Sequence, residues 1–226
     1  METPAPEAAG EAGLRRALAV AGAVLLLFVA AELLAYKLVD GVGAGALARG
    51  LAVELVLGRE PALPIALGGG APPWLVAQLS ATQDIAIGAL AFPLFLYALA
   101  RYRDAPNFVM RKLRDLEAEA RKHEAFARRW GPLGLFAFML VPFLVNGPLV
   151  GAAVGRLAGI PTRHLILPVV GSVLVASFAW TYFYNRLFAL TGNLHPLLAP
   201  AITIGLVAIF LGLALLNLGK KARKTE

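Results

Sequence analysis

The chain has 226 residues, of which 59% are hydrophobic and 15% charged, with a mean hydropathy of +0.72 and no cysteine. A soluble domain carries roughly 25% charged residues, and several apolar runs here approach or exceed the ~20 residues that cross a bilayer, so the sequence reads as an integral membrane protein. The missing cysteines exclude disulfides, thiol catalysis and cysteine-ligated metal, and the net charge of +7 fits the positive-inside rule rather than nucleic acid binding.

Residues 1–13 are acidic and rich in Pro, Ala and Gly, which predicts a short disordered tail. Arg15 and Arg16 then precede a first spanning helix over Ala17 to Tyr36, with Glu32 near its far end, where it can snorkel to the interface or pair with Lys37. From about residue 43 to 70 the chain is only semi-apolar, interrupted by Arg49, Glu54 and GREPALP. Pro61 and Pro64 are tolerable only close to a helix start, which predicts a short helix from about Glu60 to Gly68–Gly70. At 1.5 Å per residue such a helix is about 15 Å long, half the hydrocarbon core, so the segment is expected to be a re-entrant hairpin. Pro72, Pro73 and Trp74 open a long helix to Ala100, bearing Gln78, Thr82, Gln83 and Asp84 and a kink at Pro93.

Residues 101–129 carry nine Lys/Arg and five Asp/Glu. Val109, Leu113, Leu116, Ala120 and Ala127 share one face, so residues 101–130 read as a cytoplasmic amphipathic helix. Trp130 to Val145 descends to a break at Asn146, Gly147 and Pro148, which resemble an N-cap, a joint and a first-turn proline. Gly147, Gly151, Gly155 and Gly159 then recur at helical spacing, a smooth strip for close backbone packing. A spanning helix to about Tyr184, closed by the aromatic group WTYFY, a loop over 185–200, a last span over Ala201 to Leu218 and a basic tail over 219–226 complete the chain.

Gly58 and Pro72 in the first broken segment recur, at one common spacing, as Gly147 and Pro161 in the second. Charge supports folding both alike: only if both are re-entrant do Arg15/Arg16, the 101–129 segment, Arg156/Arg163 and the 220–224 cluster face one side. The expected fold is therefore all-α, with four spanning helices and two re-entrant hairpins (about 43–70 and 131–159) in an inverted repeat spanning 14–100 and 131–218, and both termini cytoplasmic in the cell membrane.

The segment VPFLVNGPLVGAAVGRLAGI, Val141 to Ile160, resembles the one that defines the small multidrug export protein family, a branch related to the DedA/VTT-domain membrane proteins. GREPALPIALGGGAPPWL, Gly58 to Leu75, is similar to that family's first hairpin, with Pro64, Gly70, Pro72, Pro73 and Trp74 in matching places; the resemblance covers roughly residues 50–185. It implies hairpins that meet at mid-membrane and, from the DedA relatives, ion-coupled movement of phosphate-bearing polyprenyl lipids between leaflets. Those relatives carry arginines around the proline of the second hairpin, where this chain has Met139 and Val145 near Pro142; the acid of the first hairpin is kept in Glu60.

The residues also support a site directly. Two short helices starting near the midplane direct unpaired N–H groups and positive dipole ends to one region, which favours an anion. Gly58, Arg59, Asn146 and Gly147 are the expected substrate-binding residues. Glu60 and Asp84, acids at similar depth, are candidates for carrying a coupling ion, the alternative being an Arg59–Glu60 or Arg59–Asp84 pair that only satisfies buried charge. His123, His164 and His195 show no zinc spacing, and no catalytic residue, metal or cofactor is expected. The function expected is ion- or proton-coupled transport or flipping of an amphiphilic, anionic, lipid-phosphate-like substrate; the alternatives are a small-molecule multidrug exporter and a non-transporting scaffold. Membrane lipids, this substrate and a proton or sodium ion are the expected partners, without nucleic acid and with a homo-oligomer left open.

Overall fold

The computed structural model describes residues 6–102, 131, 133–137, 139–140, 147–157, 159–192 and 205. The elements among them are helices: α1 (Pro6–Val39), α2 (Gly41–Leu57), α3 (Arg59–Gly68), α4 (Pro73–Tyr102), α5 (Pro148–Leu157) and α6 (Thr162–Gly192), with residues 133–137 also helical. Three stretches are long and apolar enough to cross a membrane: Gly13–Val39, Pro73–Tyr97 and Thr162–Leu190. The molecule is thus an all-helical, multi-pass membrane protein. The expected amphipathic helix beyond Tyr102, the break residue Asn146 and the last span with its basic tail lie outside the described residues.

α1 starts at Pro6, inside the stretch expected to be a disordered tail. It runs along α4 at close range, because a Cβ on Gly22 would lie 2.7 Å from the Ala86 carbonyl oxygen. Glu32 faces α4 rather than Lys37: the Gln78 amide donates to both its carboxylate oxygens, at 3.1 and 2.9 Å. The opposite face, with Val20, Leu27 and Leu34, is exposed and apolar, as a lipid-facing surface must be.

Asp40 turns the chain between α1 and α2. Its carboxylate accepts from the Val42 and Gly43 amides, which have no partner inside the first turn of α2, and from the Tyr36 hydroxyl at 2.8 Å. The Gly43 N–H above all, then the Tyr36 hydroxyl, hold this carboxyl below the usual carboxylate range.

α2 and α3 form an antiparallel helical hairpin. Gly50 lies against Ala62 and Ala66, and Gly69 against Ala46, so the small residues pair about a centre at Gly58. Gly58 ends one helix and begins the next with φ 87° and ψ 177°, a conformation essentially reserved for glycine. In the second broken segment the glycines receive large side chains instead: Gly151 packs on Met139 and Gly155 on Leu135 and Leu165. Gly147 and Gly159 are not part of that strip, because α5 spans only Pro148–Leu157. Gly147 instead accepts the first intrahelical bond, from Gly151 N–H at 3.1 Å, and so occupies the capping position that the sequence assigned to Asn146.

The two short helices end in one and the same turn. After α3, Gly70 N–H bonds the Leu67 carbonyl and Ala71 N–H the Ala66 carbonyl; after α5, Gly159 N–H bonds Arg156 and Ile160 N–H bonds Gly155. Both glycines have positive φ, 87° and 85°, as a Schellman-type stop requires. Pro72 and Pro161 follow, and α4 and α6 start.

α6 does not close at Tyr184 but continues to Gly192, since nothing between Asn185 and Thr191 breaks a helix. Of the expected aromatic belt only Tyr182 and Phe183 are outward; Tyr184 is buried and Trp180 packs edge-on to Phe183 at 5.3 Å. One apolar cluster joins Leu47, Leu51, Leu63, Leu75, Leu79 and Tyr184, and another joins Ala81, Phe92, Leu135, Met139, Val154 and Leu165. α4 runs through both, and its polar residues Ser80, Gln83 and Asp84 fall where one gives way to the other.

Candidate functional site

That junction holds the charges. Arg59, in the first turn of α3, places Nη2 3.0 Å from Asp84 Oδ2 on α4, and its Nη1 donates to Ser177 Oγ on α6 at 3.3 Å. Arg59 and Asp84 are close to nine-tenths withdrawn from solvent, with side-chain exposures of 9% and 15%. Arg59 is aimed this way by the tip of the hairpin: Gly58 reverses the chain, and α3 then packs against α4 and α6.

Glu54, near the end of α2, is the residue that sequence reasoning missed. It is buried, accepts a hydrogen bond of 2.5 Å from Ser80 Oγ, and has Asp84, Arg59 and Glu60 within electrostatic reach. Its sequence signal is an acid inside an apolar stretch, which in one dimension is no more than an interruption of that stretch. A void of about 10 Å³, room for about one water, lies beside it among Gly50, Ala62, Val76 and Ser80. Gln83 ties α4 to α2 by donating to the Leu51 carbonyl at 2.9 Å. Glu60 is half-buried; Asp84 and Tyr184 feel its charge, but no hydrogen bond or ion pair reaches it among the described residues. One guanidinium therefore stands among three carboxyl groups, those of Glu54, Glu60 and Asp84.

α5 begins at the same place. A Cβ on Gly88 would meet Pro148 at 2.8 Å, so the first residue of α5 sits against α4 one turn beyond Asp84. Both short helices thus start against the Asp84–Gly88 turn, Arg59 of α3 on Asp84 and Pro148 of α5 on Gly88. Gly147 is exposed, with open space around its α-carbon, and Gly58 contributes backbone shape only. From this turn an apolar groove of about 210 Å³ runs along α4 past Ile85, Gly88 and Phe92, walled by Leu18 and Leu25 of α1 and Leu165 of α6. It exceeds the ~150 Å³ of an engineered cavity that takes up benzene.

A buried ion pair with an apolar groove beginning one residue further along α4, inside a bundle with membrane-length helices, defines a polytopic membrane protein. The chain belongs to the family described as "Putative small multi-drug export protein", whose model matches residues 60–179. The match takes in Glu60, Asp84, Gly147 and Ser177 and stops short of Glu54, Arg59 and Thr181. No curated protein and no solved structure matches the chain.

Proposed function

We propose that this protein is a cation-coupled membrane exporter of a small amphiphilic compound, and that the Arg59–Asp84 pair is its switch. The observation that carries this reading is the placement of the buried pair, at 3.0 Å, where both short helices begin and the apolar groove opens. An anionic head group and Asp84 compete for the same guanidinium. A proton or cation that takes over the Asp84 charge frees Arg59 for the head group, aided by the positive end of α5, while the apolar part lies in the groove. When the coupling ion leaves, Asp84 reclaims Arg59 and the anion is released.

The membrane arrangement belongs to the same proposal: four spans, the α2–α3 hairpin and the 131–159 hairpin entering from opposite leaflets as an inverted repeat, and both ends cytoplasmic. The repeated glycine–proline stop after α3 and α5 supports it. The chain has no cysteine, so single cysteines placed in the 101–129 and 220–224 segments label cleanly. Labelling from opposite sides refutes this arrangement.

A second reading, export of a cationic compound, is favoured by the three carboxylates that outnumber the one guanidinium; membrane lipids would then be surroundings rather than cargo. Transport in proteoliposomes separates the readings. With Asp84→Asn, an anionic amphiphile is expected still to bind but no longer to accumulate against an ion gradient, whereas a cationic cargo would lose binding itself. Full gradient-driven transport by Asp84→Asn overturns the switch, and no transport of any amphiphile by the wild type leaves a scaffold.

A further inference from the structure

The apolar groove has a second end, away from Asp84, and three of its walls carry an arginine there. Leu18 of α1, Ala152 of α5 and Ile166 of α6 all line the groove. Arg15 precedes Leu18 by one helical turn, Arg163 precedes Ile166 by one turn, and Arg156 follows Ala152 by four residues, on the face that begins with Pro148. The three converge. α1 runs antiparallel to α4, with Glu32 at Gln78 and Gly22 at Ala86, which carries Leu18 toward Phe92 and Arg15 beyond it. Leu18 packs against the cluster that holds Phe92 and Leu165. Arg156 and Arg163 are joined by one tight turn, in which Gly159 N–H bonds the Arg156 carbonyl and His164 N–H the Pro161 carbonyl. Among the described residues, no acid lines the groove.

Depth agrees with charge. Two of the membrane-length stretches, Gly13–Val39 and Thr162–Leu190, begin within two residues of Arg15 and Arg163, so these guanidinium groups lie at a membrane–water boundary and the groove lies in hydrocarbon. Its lips, Ala21 on α1 and Ile166 on α6, are exposed, so among the described residues the groove opens sideways to the bilayer. Positive charge at the boundary with an apolar trough below it is the complement of a phospholipid, phosphate above and acyl chain beneath. Guanidinium suits that phosphate, being always charged and offering paired planar donors. A soluble anion would use the arginines and leave the trough empty.

We propose that this groove seats a resident anionic phospholipid, one acyl chain lying between α1 and α6 and its phosphate held by Arg15, Arg156 and Arg163. The lipid is a bound component rather than cargo, and its binding needs no step of the Arg59–Asp84 switch. Because the exporter reading places the apolar part of the cargo in the same groove, lipid and cargo exclude one another there.

Native mass spectrometry of the full chain in detergent, titrated separately with dioleoylphosphatidylglycerol and dioleoylphosphatidylcholine, reads the binding. The wild type is expected to hold one phosphatidylglycerol at least about tenfold more tightly than phosphatidylcholine. Arg163→Gln should lower that affinity about fivefold, as the loss of one basic group at a lipid surface does, and Arg163→Lys should retain most of it. Ala21→Phe fills the mouth of the groove from an exposed position and should weaken binding of both lipids with every arginine in place. Arg163 and Ala21 are both exposed, so neither replacement disturbs the core. Equal affinity for the two lipids, unchanged phosphatidylglycerol affinity in Arg163→Gln, or unchanged affinity in Ala21→Phe each overturn the seat. A thermal midpoint raised as much by inorganic phosphate as by phosphatidylglycerol leaves an anion site alone and overturns it too. So does a disulfide cross-link between Ala21→Cys and a cysteine placed in the 201–218 segment, which would show the chain covering its own groove. None of these readouts involves transport, so loss of the lipid seat leaves the exporter reading standing, and an exporter reading lost in proteoliposomes leaves the seat.

Discussion

Removing the Arg59–Asp84 pair one side at a time, and then together, separates what the pair does for folding from what it does for transport. At 3.0 Å and an effective dielectric constant of about 20, the attraction is on the order of 5 kcal/mol. Breaking such a buried pair from one side typically costs about 3–5 kcal/mol, because a charge is left behind without its partner. The two sides are unequal here. Asp84→Leu leaves Arg59 with Ser177 and with Glu54 and Glu60 nearby, so the cost should be near 3 kcal/mol, the low end of that range. Arg59→Met strands three carboxylates with no cation and should cost near 5 kcal/mol, the high end. The double variant Arg59→Met/Asp84→Leu removes both partners of the pair and should cost less than Arg59→Met alone, while Glu54 and Glu60, still without a cation, keep it from a full return to the wild type. SDS titration of the protein in mixed micelles, read by tryptophan fluorescence, gives the three values, and proteoliposome uptake gives their activities. A stable double variant that no longer exports is the expected result. Single costs below about 1 kcal/mol, a larger cost for Asp84→Leu than for Arg59→Met, or a double variant that still exports against an ion gradient would refute the reasoning.

Three further outcomes follow from the local geometry. Ser80→Ala removes the hydroxyl that donates to buried Glu54 and should cost about 1–3 kcal/mol in the same unfolding assay, whereas Ser80→Thr, which keeps the donor, should cost less. Gly58→Ala puts a side chain on a backbone at φ 87°, ψ 177° and should cost about 1–3 kcal/mol, while an alanine at Gly147, around which there is open space, should be close to neutral. Asp40 titrates lower folded than unfolded, so its stabilisation is complete above the unfolded carboxylate value of about 3.9 and is lost as pH falls through the lower folded value. Asp40→Asn caps without titrating, so the difference in thermal midpoint between wild type and variant should shrink as the pH drops below about 4.

What the sequence disclosed, and what it hid, follows from how each feature is encoded. The bounds of α3 were legible because they are written in punctuation: Gly58, two early prolines and three glycines admit little else than a short helix. The stop at Gly70 was visible for the same reason, whereas its counterpart Gly159 is spaced like the glycines of a packing strip and only its positive φ marks it as a stop. An Arg59–Asp84 pair could be named as one alternative, since few charges lie that deep, but its choice over Arg59–Glu60 depended on how the α2–α3 hairpin tip seats against α4. Glu54, Ser80, Ser177 and Thr181 carry little signal in one dimension. Nothing in the local spacing singles any of them out, and what is met is 26 residues away for Glu54 and Ser80 and 118 for Arg59 and Ser177. The length of α6 was misjudged because aromatic residues near an interface look like an ending, although Tyr184 turns inward and no breaker follows until Gly192.

The close approach of α1 to α4 at Gly22 sets the terms on which the first helix can vary. Only 11% of its membrane-length window is buried, and the inward set is short: Leu18, Gly22, Leu25, Val29, Glu32, Leu33 and Tyr36. Hydrocarbon chains ask only for greasiness, so the outer positions such as Val20, Leu27 and Leu34 are interchangeable among aliphatic side chains. Saturation mutagenesis of this helix should therefore show a ribbon of tolerance winding around a narrow intolerant spine, with Gly22 its most demanding point.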